Sequence, residues 1–246
     1  MTQHRKTLQE YAQERLRPHS GTVDDLIKLS THHNGHKREN AVRRLGTIGD
    51  AFALPSLLTR VNDWVPQVRS AAKHAINALL TTENANFFAM YLPELKHLSL
   101  CDRATHTHLI NTVEQFLVQD QNTHALITGL TDSNRFVSRA CATLVVKNSL
   151  MPIEQFVFLG LTQQDIIFRA MAAKYIYKLT AEAKLRALHI AIKDRFMPNR
   201  RMALEYFLQD NNAIYLAKKH LFDRHPAIRE IAAQYLKSQG INVNNT

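Results

Sequence analysis

The chain has 246 residues, of which 45% are hydrophobic and 21% charged, the balance of a soluble globular protein with one or two domains. Seven glycines and seven prolines are too few for a β-sandwich or a turn-rich nucleotide-binding sheet, and the many Ala, Leu, Lys and Arg residues favour helices. No apolar run is long enough for a membrane span, and residues 1–17 contain no apolar signal segment.

The charge and the cysteines narrow the class of protein further. The net charge is +10, which favours polyanionic partners such as nucleic acid, anionic lipid or an acidic protein. Cys101 and Cys141 make no metal-binding spacing. We therefore expect both thiols to be reduced and buried, in a cytoplasmic protein that is not bound to a membrane.

In chain order, residues 1–20 are charged and helix-forming, and we predict that they cap the first apolar face. Seven segments follow, each predicted to hold a first helix, a turn and a second helix. They are residues 21–50, 51–82, 83–120, 121–150, 151–180, 181–210 and 211–240. We expect residues 1–240 to form a single domain and the polar residues 241–246 to form a flexible tail.

The first helices are predicted from amphipathic stretches, and three prolines mark where second helices begin. The clearest stretches are residues 51–60, 122–130, 153–161, 183–193 and 213–222. Pro66, Pro198 and Pro226 lie just ahead of second helices, where a fixed φ and a missing N–H are tolerated.

One phrase recurs along the chain: a loop Asp, a short gap, an Arg, and a small residue three positions after the Arg. We call the Arg position the anchor. The seven anchors are Arg38, Arg69, Arg103, Ser138, Arg169, Arg200 and Arg229. Their spacing of 29 to 35 residues is typical of a repeat array.

The residues that follow each anchor predict the two faces of the second helix. Seven positions after the anchor the side chain is apolar in all seven copies, and three positions after it the side chain is small in six, His106 being the exception. These positions share one helical face with the anchor, so we predict that this face packs. The fifth position is polar in every copy, which predicts an exposed face.

The stretch Arg38–Ile76 resembles a HEAT repeat of the short kind found in phycobiliprotein-lyase-like proteins. The resemblance rests on Val68-Arg69-Ser70-Ala71-Ala72 in the second helix and on Gly49-Asp50 before the next first helix. It is strong over residues 36–80, good over 122–238 and weak over 81–121. It implies an all-α fold, a right-handed, armadillo-like α-solenoid of about seven helix pairs, and is nearly silent on function.

Charged and histidine clusters are interpreted as structural. In HEAT proteins the equivalent Asp–Arg pair forms a ladder between repeats, so Arg69, Arg200 and Arg229 are predicted to be structural rather than catalytic. His32, His33 and His36 cluster in a loop without further ligands, so we expect no metal and no cofactor. The His-Glu pairs of the HEAT-like deoxyhypusine hydroxylases, nucleophile motifs and phosphate loops are all absent, which argues against an enzyme.

The candidate binding surface lies on the second helices, which line the concave side of HEAT solenoids. One, five and nine positions after the anchors, basic side chains dominate the middle of this face, and we call them the basic stripe: Arg43, His74, Arg139, Lys147, Lys174, Lys178 and Arg201. A solvated face in a basic protein fits the pattern equally well. Trp64, in a loop, is interpreted either as a partly buried core residue or as a contact residue.

Three functions are compatible with the sequence. The first is a non-catalytic scaffold that binds a protein or peptide on the basic stripe. The second is a nucleic-acid-binding protein with a basic groove, similar to the HEAT-like alkylpurine DNA glycosylases, although we match none of their catalytic residues here. The third, a phycobilin-lyase-like role, rests on the resemblance alone, and an absorbance change on mixing with a bilin would test it.

Overall fold

The computed structural model describes residues 21–210 and 213–242. Within these ranges all regular secondary structure is helical, with fifteen α-helices, four short 3₁₀ helices and no β-strand. The prediction of an all-α fold is therefore confirmed. The predicted capping segment 1–20 and residues 243–246 of the predicted tail lie outside the described residues.

The chain divides into two compact units, Met1–Leu150 and Met151–Thr246. In the first unit the α-helices are α1 (Gly21–Leu29), α2 (Gly35–Ile48), α3 (Leu54–Val61), α4 (Pro66–Ala78), α5 (Ala85–Met90), α6 (Leu92–His97), α7 (Thr107–Leu117), α8 (Thr123–Gly129) and α9 (Arg135–Lys147). In the second unit they are α10 (Ile153–Leu161), α11 (Ile166–Ala173), α12 (Ala181–Ala191), α13 (Met197–Phe207), α14 (Ile214–His220) and α15 (Pro226–Ser238). The 3₁₀ helices are Ala51–Ala53, Thr82–Asn84, Leu98–Leu100 and Ile176–Lys178.

The helix ends follow from local sequence signals. Asn34 caps α2, because its side chain accepts a hydrogen bond from the N–H of His36, and Gly49 ends that helix with a left-handed φ of 72°. Helices α4 and α15 begin at Pro66 and Pro226, and Pro198 lies in the first turn of α13, as predicted.

Helices pack as antiparallel pairs and then second helix against second helix. In the first unit α1 packs on α2, α3 on α4, and α2 on α4; in the second unit α10 packs on α11, α12 on α13, and α13 on α15. A Cβ atom at Gly46 would lie 2.7 Å from the Cβ of Ala75, so the close approach of α2 and α4 requires glycine there. A Cβ at Gly160 would collide in the same way with Ala172 between α10 and α11.

The predicted faces of the second helices are confirmed at the third and fifth positions, while at the seventh position Ile110 and Phe207 are only half-buried. The small residues three positions after the anchors are completely buried: Ala41, Ala72, Cys141, Ala172, Ala203 and Ala232. The polar residues five positions after the anchors are all exposed: Arg43, His74, His108, Thr143, Lys174, Glu205 and Gln234. The 3.6-residue period therefore set the helical register correctly.

The third predicted segment, 83–120, differs from the other six, because it holds three α-helices where each of the others holds two. Pro93 has no N–H to continue α5, so the helix ends at Met90 and α6 begins beyond it. Helix α7 begins only at Thr107, and Arg103 lies in the preceding coil. The prediction that Arg103 is the anchor of a second helix is therefore wrong.

Candidate functional site

The basic stripe of the first unit lies on α2, α4 and α9. Arg43, His74 and Lys147 are exposed, whereas Arg139 is half-buried. Arg43 pairs with Glu39 one turn earlier on the same helix at 2.8 Å. The exposed side chains are accessible to a ligand, and the Arg43–Glu39 pair is a surface pair one turn apart, of the kind that contributes little to stability.

In the second unit the stripe residues Lys174, Lys178 and Arg201 are all exposed. The Lys178 ammonium group lies 5.2 Å from the centre of the Tyr175 ring. Arg201 pairs with Glu205 at 2.7 Å on the surface of α13. Both are contacts of an exposed cation with a neighbour a few residues away in the chain.

Three anchor arginines form buried ion pairs with an Asp of the following helix pair, and we call this set the Arg–Asp ladder. Arg38 donates from Nε and Nη2 to Asp63 at 2.9 and 2.8 Å. The other two pairs are Arg169 with Asp194 and Arg200 with Asp223, at 3.0 and 2.8 Å respectively. Arg38 and Arg200 each bind their Asp with both Nε and Nη2, a two-pronged geometry that fixes position as well as charge, whereas Arg169 donates from Nε to both oxygens of Asp194. The ladder predicted from the sequence is thus present at these joints.

In five of the anchors, the guanidinium Nη1 is hydrogen-bonded to the loop that comes just before the anchor in the chain. Nη1 of Arg38 donates to the carbonyls of His32 and His33, six and five residues earlier. The same pattern recurs at Arg69, Arg169 and Arg200, and Arg229 keeps the bond to the sixth residue back. These guanidinium groups are therefore committed to the scaffold, as the sequence predicted for Arg69, Arg200 and Arg229.

The electrostatics of the ladder favour ionised carboxylates. Burial raises the pKa of Asp63, but the hydrogen bonds from Arg38 and from the Val65 N–H, with the charges of Arg38 and Arg60, bring that pKa below its ordinary value. The pKa values of Asp194 and Asp223 are lowered by the same balance of burial against hydrogen bonds and cationic neighbours.

The ladder is interrupted at Asp132. Its Oδ1 accepts the Asn134 N–H at 2.8 Å, whereas its buried Oδ2 has no hydrogen-bond partner among the described residues. Arg103, the preceding predicted anchor, is exposed in coil and donates instead to the carbonyl of Asn62 at 3.2 Å. Burial and the Asp132 charge raise the pKa of the Cys141 thiol to about 12, so this thiol stays protonated.

A cleft of about 800 Å³ opens at the edge of the first unit where the loops of the helix pairs lie, and we call it the loop-edge cleft. Four parts of the chain line it: the α1–α2 loop, Arg38 on α2, helix α3 with the loop that follows, and the segment from Tyr91 to Arg103. The lining residues are Thr31, His32, His33, Arg38, Pro55, Leu58, Thr59, Arg60, Asn62, Asp63, Trp64, Tyr91, Glu94, His97, Leu98, Cys101 and Arg103.

The chain matches no protein-family model and no curated protein. Its function must therefore be argued from the two surfaces described above, the basic stripe and the loop-edge cleft. None of the stripe residues lines the cleft.

The structure decides two points that the sequence left open or predicted wrongly. Trp64 is 69% exposed, so it is a surface side chain rather than a core residue. Cys101 is half-buried in the lining of the cleft, which corrects the prediction that both thiols are buried; both are free thiols, and Cys141 is fully buried.

The histidine cluster is divided by the structure. His32 and His33 line the cleft with ring centres 4.1 Å apart, while His36 lies outside the lining. Across the ranges 21–210 and 213–242, no three His, Cys, Asp or Glu side chains converge as metal ligands would. No helix in those ranges has the length and apolar character needed to cross a membrane.

Tyr91, Glu94 and His97 are among the cleft residues that the sequence did not identify. They lie on or beside α6, in the segment where the repeat pattern is weakest. The loss of the repeat pattern in this segment is the signal that could have identified them, because functional sites tend to lie where the local sequence rules are broken.

Proposed function

We propose that the protein is a non-catalytic scaffold, a HEAT-type right-handed α-solenoid, that binds an acidic protein or peptide segment along the basic stripe. The observation that carries the proposal is the division of charge within each unit. Three Arg–Asp pairs of the repeat are buried, whereas every residue of the stripe except the half-buried Arg139 is exposed to solvent.

The stripe is electrostatically available. The side chains of Arg43 and Arg201 are 63% and 54% exposed, and each pairs with a Glu one turn away. Exposed pairs of this kind contribute little to stability, so a carboxylate of a partner can compete for these cations at low cost. Lys147 and Lys174 are exposed as well.

Aromatic side chains next to the stripe favour a protein partner. Phe136 is 53% exposed and has the Arg139 guanidinium 5.6 Å from its ring centre. Tyr177 is 68% exposed and lies 6.0 Å from the Lys178 ammonium group. Aromatic and arginine side chains are enriched in protein–protein interfaces, where they supply much of the binding energy.

Charge reversal on the stripe tests the proposal. The stripe variant replaces Lys147, Lys174 and Lys178 by Glu. The control variant replaces Lys28, Lys218 and Lys219, exposed lysines of the first helices α1 and α14, so that both variants lose the same charge. Each protein is used to capture partners from nuclease-treated extract of its native cells, with identification by mass spectrometry.

We expect the wild type and the control variant to retain the same acidic protein and the stripe variant to lose it. Identical capture by the two variants would place the interface elsewhere. Capture of no protein by the wild type, together with tight binding of DNA, would overturn the proposal in favour of the second candidate.

The second candidate function is nucleic-acid binding. The exposed rings of Phe136 and Tyr177, each next to a basic side chain, also favour it. Bases stack on exposed aromatic rings while lysine and arginine contact phosphates. If about five or six phosphates are contacted, the logarithm of the affinity should fall with the logarithm of salt concentration with a slope of roughly −4 to −6. A slope near zero, or no binding at low salt, would exclude it.

A further inference from the structure

We propose that the loop-edge cleft of the first unit binds a small ligand that carries a phosphate or carboxylate on a flat ring. This inference goes beyond the proposed function, because the cleft and the basic stripe share no residue.

The flat surface is supplied by Trp64. Its side chain is 69% exposed, yet its backbone is held, because the Trp64 carbonyl accepts a hydrogen bond from Arg69 Nη1 at 3.1 Å. The Arg38 guanidinium carbon lies 5.4 Å from the centre of the ring. An exposed indole on a held backbone, with a guanidinium group beside its ring, offers a surface on which a flat ring can stack.

Tyr91 adds a second aromatic ring to the lining. Burial, and secondarily the charge of Glu94, raises the pKa of the Tyr91 phenol above its ordinary value. The phenol therefore keeps its proton at neutral pH and presents an O–H donor, not a negative charge, to a ligand.

The lining holds three arginines, Arg38, Arg60 and Arg103, against two carboxylates, Asp63 and Glu94, and this balance favours an anion. The Asp63 carboxylate already accepts two bonds from Arg38, one from Arg60 and one from the Val65 N–H. Its negative charge is therefore satisfied within the scaffold.

Two guanidinium groups of the lining have donors to spare. Arg60 Nε is buried with no hydrogen-bond partner among the described residues, and Arg103 is exposed with a bond of 3.2 Å to the Asn62 carbonyl. The planar arrangement of guanidinium donors matches phosphate and carboxylate oxygens.

Size and apolar surface agree with a small ligand. About 800 Å³ lies within the range of small-molecule sites, and Pro55, Leu58 and Leu98 contribute apolar lining. A ring with an attached anion uses both kinds of surface, whereas an uncharged ring would use the apolar lining and gain no charge-assisted hydrogen bond from Arg103.

The test uses the fluorescence of Trp64, the one tryptophan in the sequence. The full chain is titrated under tryptophan-selective excitation with adenosine monophosphate and, separately, with phenylacetate. We expect a saturable change with at least one of them. The uncharged counterparts, adenosine and benzyl alcohol, should bind at least about tenfold more weakly than the corresponding anions, and so should inorganic phosphate alone.

Two matched variants locate the site. Arg103→Ala should weaken binding at least about tenfold, because it removes a charged donor. Arg195→Ala removes an exposed arginine from a loop-edge pocket of the second unit and should leave binding unchanged. Circular dichroism verifies that both variants are folded.

The inference would be overturned if neither anion gave a saturable change in fluorescence. It would also be overturned if each anion and its uncharged counterpart bound equally well, or if the two arginine variants had equal effects on binding.

Discussion

The loop edges of the two units contain the same kind of Arg–Asp pair but differ in the side chains that surround it. In the first unit the pair Arg38–Asp63 lies beside Trp64 and Tyr91 in a cleft of about 800 Å³. In the second unit a pocket of about 830 Å³ holds the pair Arg169–Asp194, but no Trp, Tyr or Phe lines it. The ladder is thus a shared structural device, and the difference comes from loop residues and from helix α6.

This comparison separates residues that hold helix pairs together from residues that make a surface distinctive. If it is correct, ladder positions in the two units should behave alike, and the exposed positions beside them should contribute little to stability.

The largest effect is expected at the ladder carboxylates. Asp63→Ala and Asp194→Ala should each lower the free energy of unfolding by about 3–5 kcal/mol, because each leaves a buried guanidinium without its counter-charge. Asp132→Asn should change it by less than about 1 kcal/mol, since Asp132 has no arginine partner to lose. Urea unfolding followed by circular dichroism measures all three, and a loss at Asp132 equal to that at Asp63 would contradict the role of the ladder.

The next effect concerns the packed face of the second helices. Ala72→Leu and Ala203→Leu, both at completely buried positions, should each cost about 1–3 kcal/mol by overpacking the helix interface. Leucine at the exposed positions Thr143 and Gln234 should cost less than about 0.5 kcal/mol. Equal responses at buried and exposed positions would show that the helical register is wrong.

A smaller and graded effect is expected from acid. The pKa values of Asp63, Asp194 and Asp223 are depressed in the folded protein below the ordinary value of 3.8. Their stabilising contribution is therefore fully present above that value and is lost as the pH falls through the lower, folded-state pKa. Urea unfolding at a series of pH values should show this loss, and Asp63→Asn should flatten it; a pH dependence unchanged by that substitution would contradict the assignment.

The smallest effect should come from the stripe. Arg201→Ala removes an exposed pair within α13 and should cost less than about 0.5 kcal/mol. Its neighbour Arg200, replaced by Ala, should cost about 3–5 kcal/mol, because it leaves Asp223 buried and unpaired. The same unfolding experiment compares the two adjacent arginines, and similar losses would mean that the stripe also serves the scaffold.

The fold could be predicted largely because one pattern was repeated. A small residue such as Ala72 three positions after an arginine, with a polar residue such as His74 two positions later, defines helix faces without any long-range information. The recurrence of Arg and Asp at fixed places in the phrase identified the two members of the ladder, and their pairing between helix pairs was implied by the resemblance to HEAT repeats.

The loop-edge cleft could not be predicted, because it depends on where a break in the pattern places the chain. Pro93 signals the end of α5, but no local signal states that α6 will bring Tyr91 and His97 to the same cleft as Trp64. Arg103 was misplaced because its spacing fits the repeat while its backbone is coil. Spacing alone does not distinguish a helical anchor from a loop residue.

The reach of a single guanidinium group also limits how this chain can change in length. In five helix pairs the anchor Nη1 bonds to the carbonyl six residues before it, so an inserted or deleted residue between those two points would break the bond. Outside that loop the chain is less tightly fixed, since consecutive anchors that make this bond lie 31 residues apart in two cases and 29 in a third. Tags, labels or new loops should therefore be tolerated between helix pairs at exposed positions, for example at Thr81 and Thr82, and rejected between Asp63 and Arg69.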